Sequence, residues 1–242
     1  MPDICEAARC ALALADDALI LGHRLSEWCG HAPMLEEDMA LANIGLDLIG
    51  QARMLYSYAG EASEVSEDQL AYFRDAPQFR NLLICELPNG DFARTILRQY
   101  IYSAYAEPMW QAMIHARDAT LSAIAGKAVK ECAYHLRHSA EWVIRLGDGT
   151  AQSHRRIAAA LELLWPYTGE MFEAGDGMAV DPATLRGGWG AAVSSVLTEA
   201  GLQVPASTWM QSGGRQGRHS EHLGHLLAEM QFLQRAYPGA QW

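Results

Sequence analysis

What this chain can fold into is set first by the unequal spacing of its helix breaks. Apolar residues recur at helical period over about residues 4–29, and Gly30-His31-Ala32-Pro33 ends the run. Pro33 suits the first turn of a second helix, about residues 34–59, and Glu36, Glu37 and Asp38 suit the positive end of its dipole. So short a connection makes these two helices antiparallel neighbours. A long connection follows, over about residues 60–90, with a short helix near 66–74 and the turn signal Pro88-Asn89-Gly90. Asp91 or Asn89 then caps a third helix, about 92–117. Asp118 caps a fourth, about 119–146, which Gly147-Asp148-Gly149 stops. Pro108 lies inside the third helix and removes one of its hydrogen bonds, so a kink is expected there.

The order is helix, short turn, helix, long crossover, helix, short turn, helix. An all-α, ferritin-like four-helix bundle with one long crossover has this arrangement. About three further helices follow in the C-terminal part. Thr150 caps one over about 151–172, Asp181-Pro182 opens another that runs to about 200, and the last covers about 219–237; 203–218 reads as a loop. The expectation is one ferritin-like helical domain over residues 1–242, with a core bundle at about 4–147 and a helical extension at about 150–242. Composition agrees: half the residues are apolar, alanine, leucine and methionine are plentiful, and β-branched residues are sparse.

The formal net charge of −11 argues against nucleic acid or an anionic membrane as the main partner. Asp3, Glu6, Asp16 and Asp17 interrupt the apolar N-terminal residues, unlike a signal peptide, and no uncharged apolar run approaches membrane-spanning length. The five cysteines form no Cys-x-x-Cys and read as reduced thiols packed as small hydrophobes. A soluble cytoplasmic protein is expected.

The segment 126–142 carries the chemistry worth weighing. Glu131, His135 and His138 fall at i, i+4 and i+7, on one helical face. Di-iron bundles use Glu-x-x-His on each of two helices. Here Tyr134 stands three residues after Glu131, and Gly50 stands three after the mid-bundle Asp47 of the second helix. None of the nine histidines has an acidic residue three positions before it. Matching depth across the hairpins brings Asp17, Asp47 and Glu131 to the level of a di-iron centre, without its histidines. These positions, with Tyr134 and His135, read as a degenerate di-iron site in which no residue is assigned to metal or to catalysis. If Asp47 and Glu131 face the core they need cations, for which Lys127, Lys130, His135, Arg53 and Arg137 are candidates. The plainer alternatives are a solvated Lys127–Glu131 pair and ordinary hydrogen-bonded histidines.

Four stretches, 24–53, 86–100, 127–150 and 214–234, closely resemble the C subunits of bacterial phenylacetyl-CoA epoxidase. The likeness runs nearly end to end. It implies a ferritin-like fold and a structural subunit without a working metal centre, related to the di-iron catalytic A subunit and paired with it. It also implies B and reductase subunits in a complex that uses oxygen and NADPH to epoxidise phenylacetyl-CoA in aerobic phenylacetate breakdown. On this resemblance the cofactor, di-iron, belongs to the partner A subunit and none to this chain; a homodimer stays open. The alternatives are a self-sufficient di-iron oxygenase with unorthodox ligands and a helical acyl-CoA-binding module.

The C-terminal part adds one more feature. His219, His222 and His225 recur at i, i+3 and i+6 behind Arg215 and Arg218. An exposed surface is expected of Arg215, Arg218, His219 and His222, facing an acidic partner or a CoA phosphate rather than a metal.

Overall fold

A computed structural model describes residues 5–173 and 179–240. Four long helices make the bundle: α1 (Glu6–Ser26), α2 (Leu35–Ser63), α5 (Phe92–Met113) and α6 (Ala119–Asp148). The crossover between α2 and α5 carries α3 (Glu67–Tyr72) and α4 (Leu83–Glu86), and the C-terminal part carries α7 (Ala151–Leu164), α8 (Arg186–Glu199), α9 (Glu221–Met230) and α10 (Phe232–Ala236). The described residues contain no strand. The order, with one long crossover, is the ferritin-like one. None of the described helices is long and apolar enough to cross a membrane.

The caps fall where side-chain chemistry demands them. Asp91 Oδ1 accepts from Arg94 N at 3.0 Å, Asp118 Oδ1 from Leu121 N at 2.9 Å and Thr150 Oγ1 from Ser153 N at 3.1 Å. Each satisfies an amide that a helix start leaves unpaired. Helix α1 packs chiefly on α2, and α5 on α6. The helix α1 is buried on nearly every side, because the crossover and the segment after Gly213 cover the face that α2 leaves. Its alanines permit that close approach.

Several boundaries differ from expectation, each for a local reason. Residue 4, where the first run was expected to start, lies outside the described residues. Helix α2 starts at Leu35, so Pro33 precedes its N-cap rather than opening its first turn. Helix α6 runs through Gly147 to Asp148. Gly147 serves packing instead of termination: a Cβ there would come within 2.2 Å of the Ala200 carbonyl oxygen at the end of α8. The helix expected over 151–172 ends at Leu164, and tight turns continue over Trp165–Tyr167 and Gly169–Phe172. Pro166 supplies no amide hydrogen there. The last helix is split at Gln231, whose side chain donates to the carbonyls of Ala71 and Arg74 at 3.1 and 2.9 Å.

Candidate functional site

Helices α2 and α6 face each other along a seam of polar pairs. Glu37 Oε2 lies 2.9 Å from His138 Nε2, Asp47 Oδ2 lies 3.0 Å from His135 Nε2, and Gln51 Nε2 donates to Glu131 Oε2 at 2.9 Å. Numbers rise on one helix as they fall on the other, so the helices run antiparallel. Lys127 reaches the other Glu131 oxygen at 3.5 Å. The His135 side chain is 1 % exposed. Burial pulls its pKa below the ordinary imidazole value despite Asp47 beside it. The ring is therefore neutral at pH 7, and Nε2 carries the hydrogen that Asp47 accepts. Tyr134 turns outward: its ring lies 5.9 Å from that of His138, with the Arg137 guanidinium 5.9 Å from its centroid.

Asp17 does not join this seam. It is wholly buried and takes three donors, Leu82 N at 2.7 Å and Arg215 Nη1 and Nη2 at 3.1 and 2.7 Å. Burial raises its pKa to about 6, and Arg215 beside it keeps the pair ionised at neutral pH. Its neighbour Asp16 accepts from Tyr56 Oη at 2.6 Å, from Arg80 N at 2.7 Å and from the Arg74 guanidinium.

Two further buried carboxylates pin the C-terminal loop. Glu170 accepts from Leu83 N at 2.8 Å, Gly213 N at 2.9 Å and Gly214 N at 2.5 Å. Glu86 accepts from Asn81 Nδ2 at 2.9 Å and Ser220 N at 2.6 Å, and faces His219 Nδ1 at 2.8 Å. The other ring nitrogen of His219 lies 3.0 Å from the Phe79 carbonyl oxygen. A carbonyl can only accept, so Nε2 donates to Phe79, and the hydrogen bond and charge of Glu86 at Nδ1 favour the charged ring against the cost of burial.

These contacts test the fit of a di-iron centre. Asp17, Asp47 and Glu131 are each engaged by protein donors, and they do not converge. Gly50 and Tyr134 stand where carboxylate-x-x-His would put ligands, one without a side chain and the other turned outward. Among the described residues no three His, Cys, Asp or Glu side chains come together to hold a metal. The residues present do not fit the group.

Residues 3–242 match the family model described as phenylacetic acid catabolic protein. The chain belongs to the phenylacetic acid catabolic protein family. Its relatives include the C subunit of the 1,2-phenylacetyl-CoA epoxidase of Escherichia coli (strain K12), 51 % identical over 240 residues that cover 96 % of this chain and 97 % of that one.

In this member of the phenylacetic acid catabolic protein family, two residues expected on the surface are internal. The Arg215 side chain is 8 % exposed and that of His219 is 3 % exposed, so both neutralise buried carboxylates and neither presents its charge to a partner. Arg218 is exposed and His222 half-buried. Of the cations proposed for the bundle, His135 meets Asp47 and Lys127 meets Glu131. Arg53 instead pairs with Glu67 of α3 at 2.8 Å. Sequence reasoning missed Gln51, although it lies one turn after Asp47 on the same face. It also missed Glu86 and Glu170, because nothing local marks a carboxylate that caps amides from a distant loop.

Proposed function

We propose that this chain is the non-catalytic C subunit of a phenylacetyl-CoA epoxidase, and that it binds and supports the catalytic A subunit in aerobic phenylacetate breakdown. One observation carries the reading: the carboxylates expected at the level of a di-iron centre are taken up by Gln51, Lys127, His135 and Arg215. Guanidinium, amide and neutral imidazole are donors here, so the bundle is held by hydrogen bonds where a catalytic relative would need ligands. The Escherichia coli relative, itself a C subunit by name, supports the assignment over nearly the full length. In this reading di-iron is bound by the A subunit and none by this chain, and B and reductase subunits complete the cytoplasmic assembly.

The outer face of α2 supports a role in assembly. Leu35, Met39 and Leu46 are 72, 57 and 65 % exposed there, and Met34, which precedes the helix, is exposed as well. Apolar side chains gathered on one exposed helix face mark a surface for another protein.

The test is reconstitution from purified subunits with metal analysis of each. The expected result is no stoichiometric iron on this chain, complex formation with the A subunit, and epoxidation that requires both. Two irons per isolated chain, with oxygen consumption lost in Glu131→Ala, would establish a self-sufficient oxygenase instead.

A further inference from the structure

The chain is acidic overall, yet around the start of α5 the balance reverses. Arg24, Arg94 and Arg98 lie within electrostatic reach of one another, and Arg94 lines a groove with Arg155 and Arg156 of α7. Among the described residues two carboxylates answer these five cations. Glu27 meets Arg24 at 2.7 Å, and Asp91 stands 3.8 Å from Arg156.

The two inner arginines are the least compensated. Arg98 is 1 % exposed and has no carboxylate in contact among the described residues; it donates to the Leu87 carbonyl and to Asn89 Oδ1 at 2.6 Å. Its Nε, and the buried Nε of Arg94, have no hydrogen-bond partner among the described residues. The Arg94 side chain lies across Gly90, where φ is +64° and a Cβ would come within 2.7 Å of Arg94 Cδ. Any side chain at position 90 would displace it. The positive end of the 22-residue α5 adds to the same field.

The groove has a volume of about 460 Å³. Arg94, Arg155, Arg156 and Gln152 supply its donors, Asp91 is its one carboxylate, and Leu163, 41 % exposed, forms an apolar lip. Planar guanidinium groups that converge on one concave surface match phosphate oxygens.

We propose that this groove binds an organic phosphate, with phosphate groups on Arg94, Arg155 and Arg156 and an apolar body against Leu163. The phosphorylated end of an acyl-CoA has this chemistry; naming it rests on the function proposed above, whereas the anion chemistry of the groove does not. The expected surface for a CoA phosphate thus moves from Arg215, which is internal, to the start of α5.

The test is calorimetric titration of the full chain with coenzyme A, and separately with inorganic phosphate, at low and raised salt. Both Arg155 and Arg156 are exposed, so the double charge reversal Arg155→Glu with Arg156→Glu should leave the circular dichroism unchanged. Coenzyme A is expected to bind the native chain, about tenfold or more weakly in the double variant, and more weakly as salt rises. Inorganic phosphate is expected to compete only at higher concentration. No binding of coenzyme A, binding that the double variant retains, or binding of inorganic phosphate alone would overturn the proposal. Assembly with the A subunit is measured in parallel. If the double variant loses assembly and the native chain binds no coenzyme A, the groove is a protein contact and the proposal fails while the proposed function stands. If coenzyme A binds through the groove but the native chain does not assemble, the anion site stands and the function fails.

Discussion

Removing Arg215 would leave Asp17 as a charge buried without a counter-ion. Arg215→Met is therefore expected to destabilise the fold by about 3–5 kcal/mol, and the double change with Asp17→Asn by less, because the orphaned charge goes with it. Urea denaturation of the three variants measures this; losses that simply add would show that the two residues are not coupled. His219 makes a different prediction. Burial alone would lower its pKa, but the hydrogen bond and charge of Glu86 hold it above the ordinary histidine value. A raised folded-state pKa means that the stabilisation is complete below the ordinary pKa and is lost as pH rises through the folded one. The difference in stability between the native chain and His219→Gln should shrink from mildly acidic to mildly alkaline buffer, and a constant difference would count against the imidazolium. The short-range partner at this scale was legible: Lys127 lies one helical turn from Glu131. His135 was legible as a candidate cation, but its partner Asp47 lies 88 residues away on α2. Arg215 was not, because 198 residues separate it from Asp17 and no periodicity runs through its loop.

Two glycines in long helices should respond in opposite ways to the same added methyl group. Gly147→Ala drives a Cβ into the Ala200 backbone and must separate α6 from the end of α8, at a cost of about 1–3 kcal/mol. Gly50 lies inside α2 with nothing within 4 Å of its missing Cβ, so Gly50→Ala is expected to stabilise by about 0.5–1 kcal/mol. Thermal melts of the pair read both signs, and destabilisation by Gly50→Ala would mean that α2 needs the bare position for a contact. The long helices were readable because Asp91, Asp118 and Thr150 cap them through local chemistry. Gly147 misled because a glycine read as a stop was placed by a distant element, α8. Pro166 was a stronger breaker than the apolar run around it suggested.

At the scale of the whole molecule, the bundle and its crossover followed from connection lengths, while the wrapping of the C-terminal segment did not. That segment is tied by Glu170, by the Asp17–Arg215 pair and by the Glu86–His219 pair, all between residues far apart in sequence. A chain shortened to end before Gly213 is expected to be insoluble or molten, with Asp17 and Glu86 deprived of their cations. Its near-ultraviolet circular dichroism would show lost packing even where helical signal remains. A truncated chain with native packing would show these ties to be dispensable.

The position of Arg215 also bears on timing. During synthesis α1 emerges well before Arg215, because the guanidinium partner of its aspartate lies almost two hundred residues later in the chain. Until that stretch has been made, α1 can pair with α2 but its outer face is unfinished. The bundle therefore closes late and as a unit, with a long interval in which an apolar helix bearing unpaired acids is open to other proteins. A chain built this way gains from having a binding protein, such as a chaperone, present while it is being made.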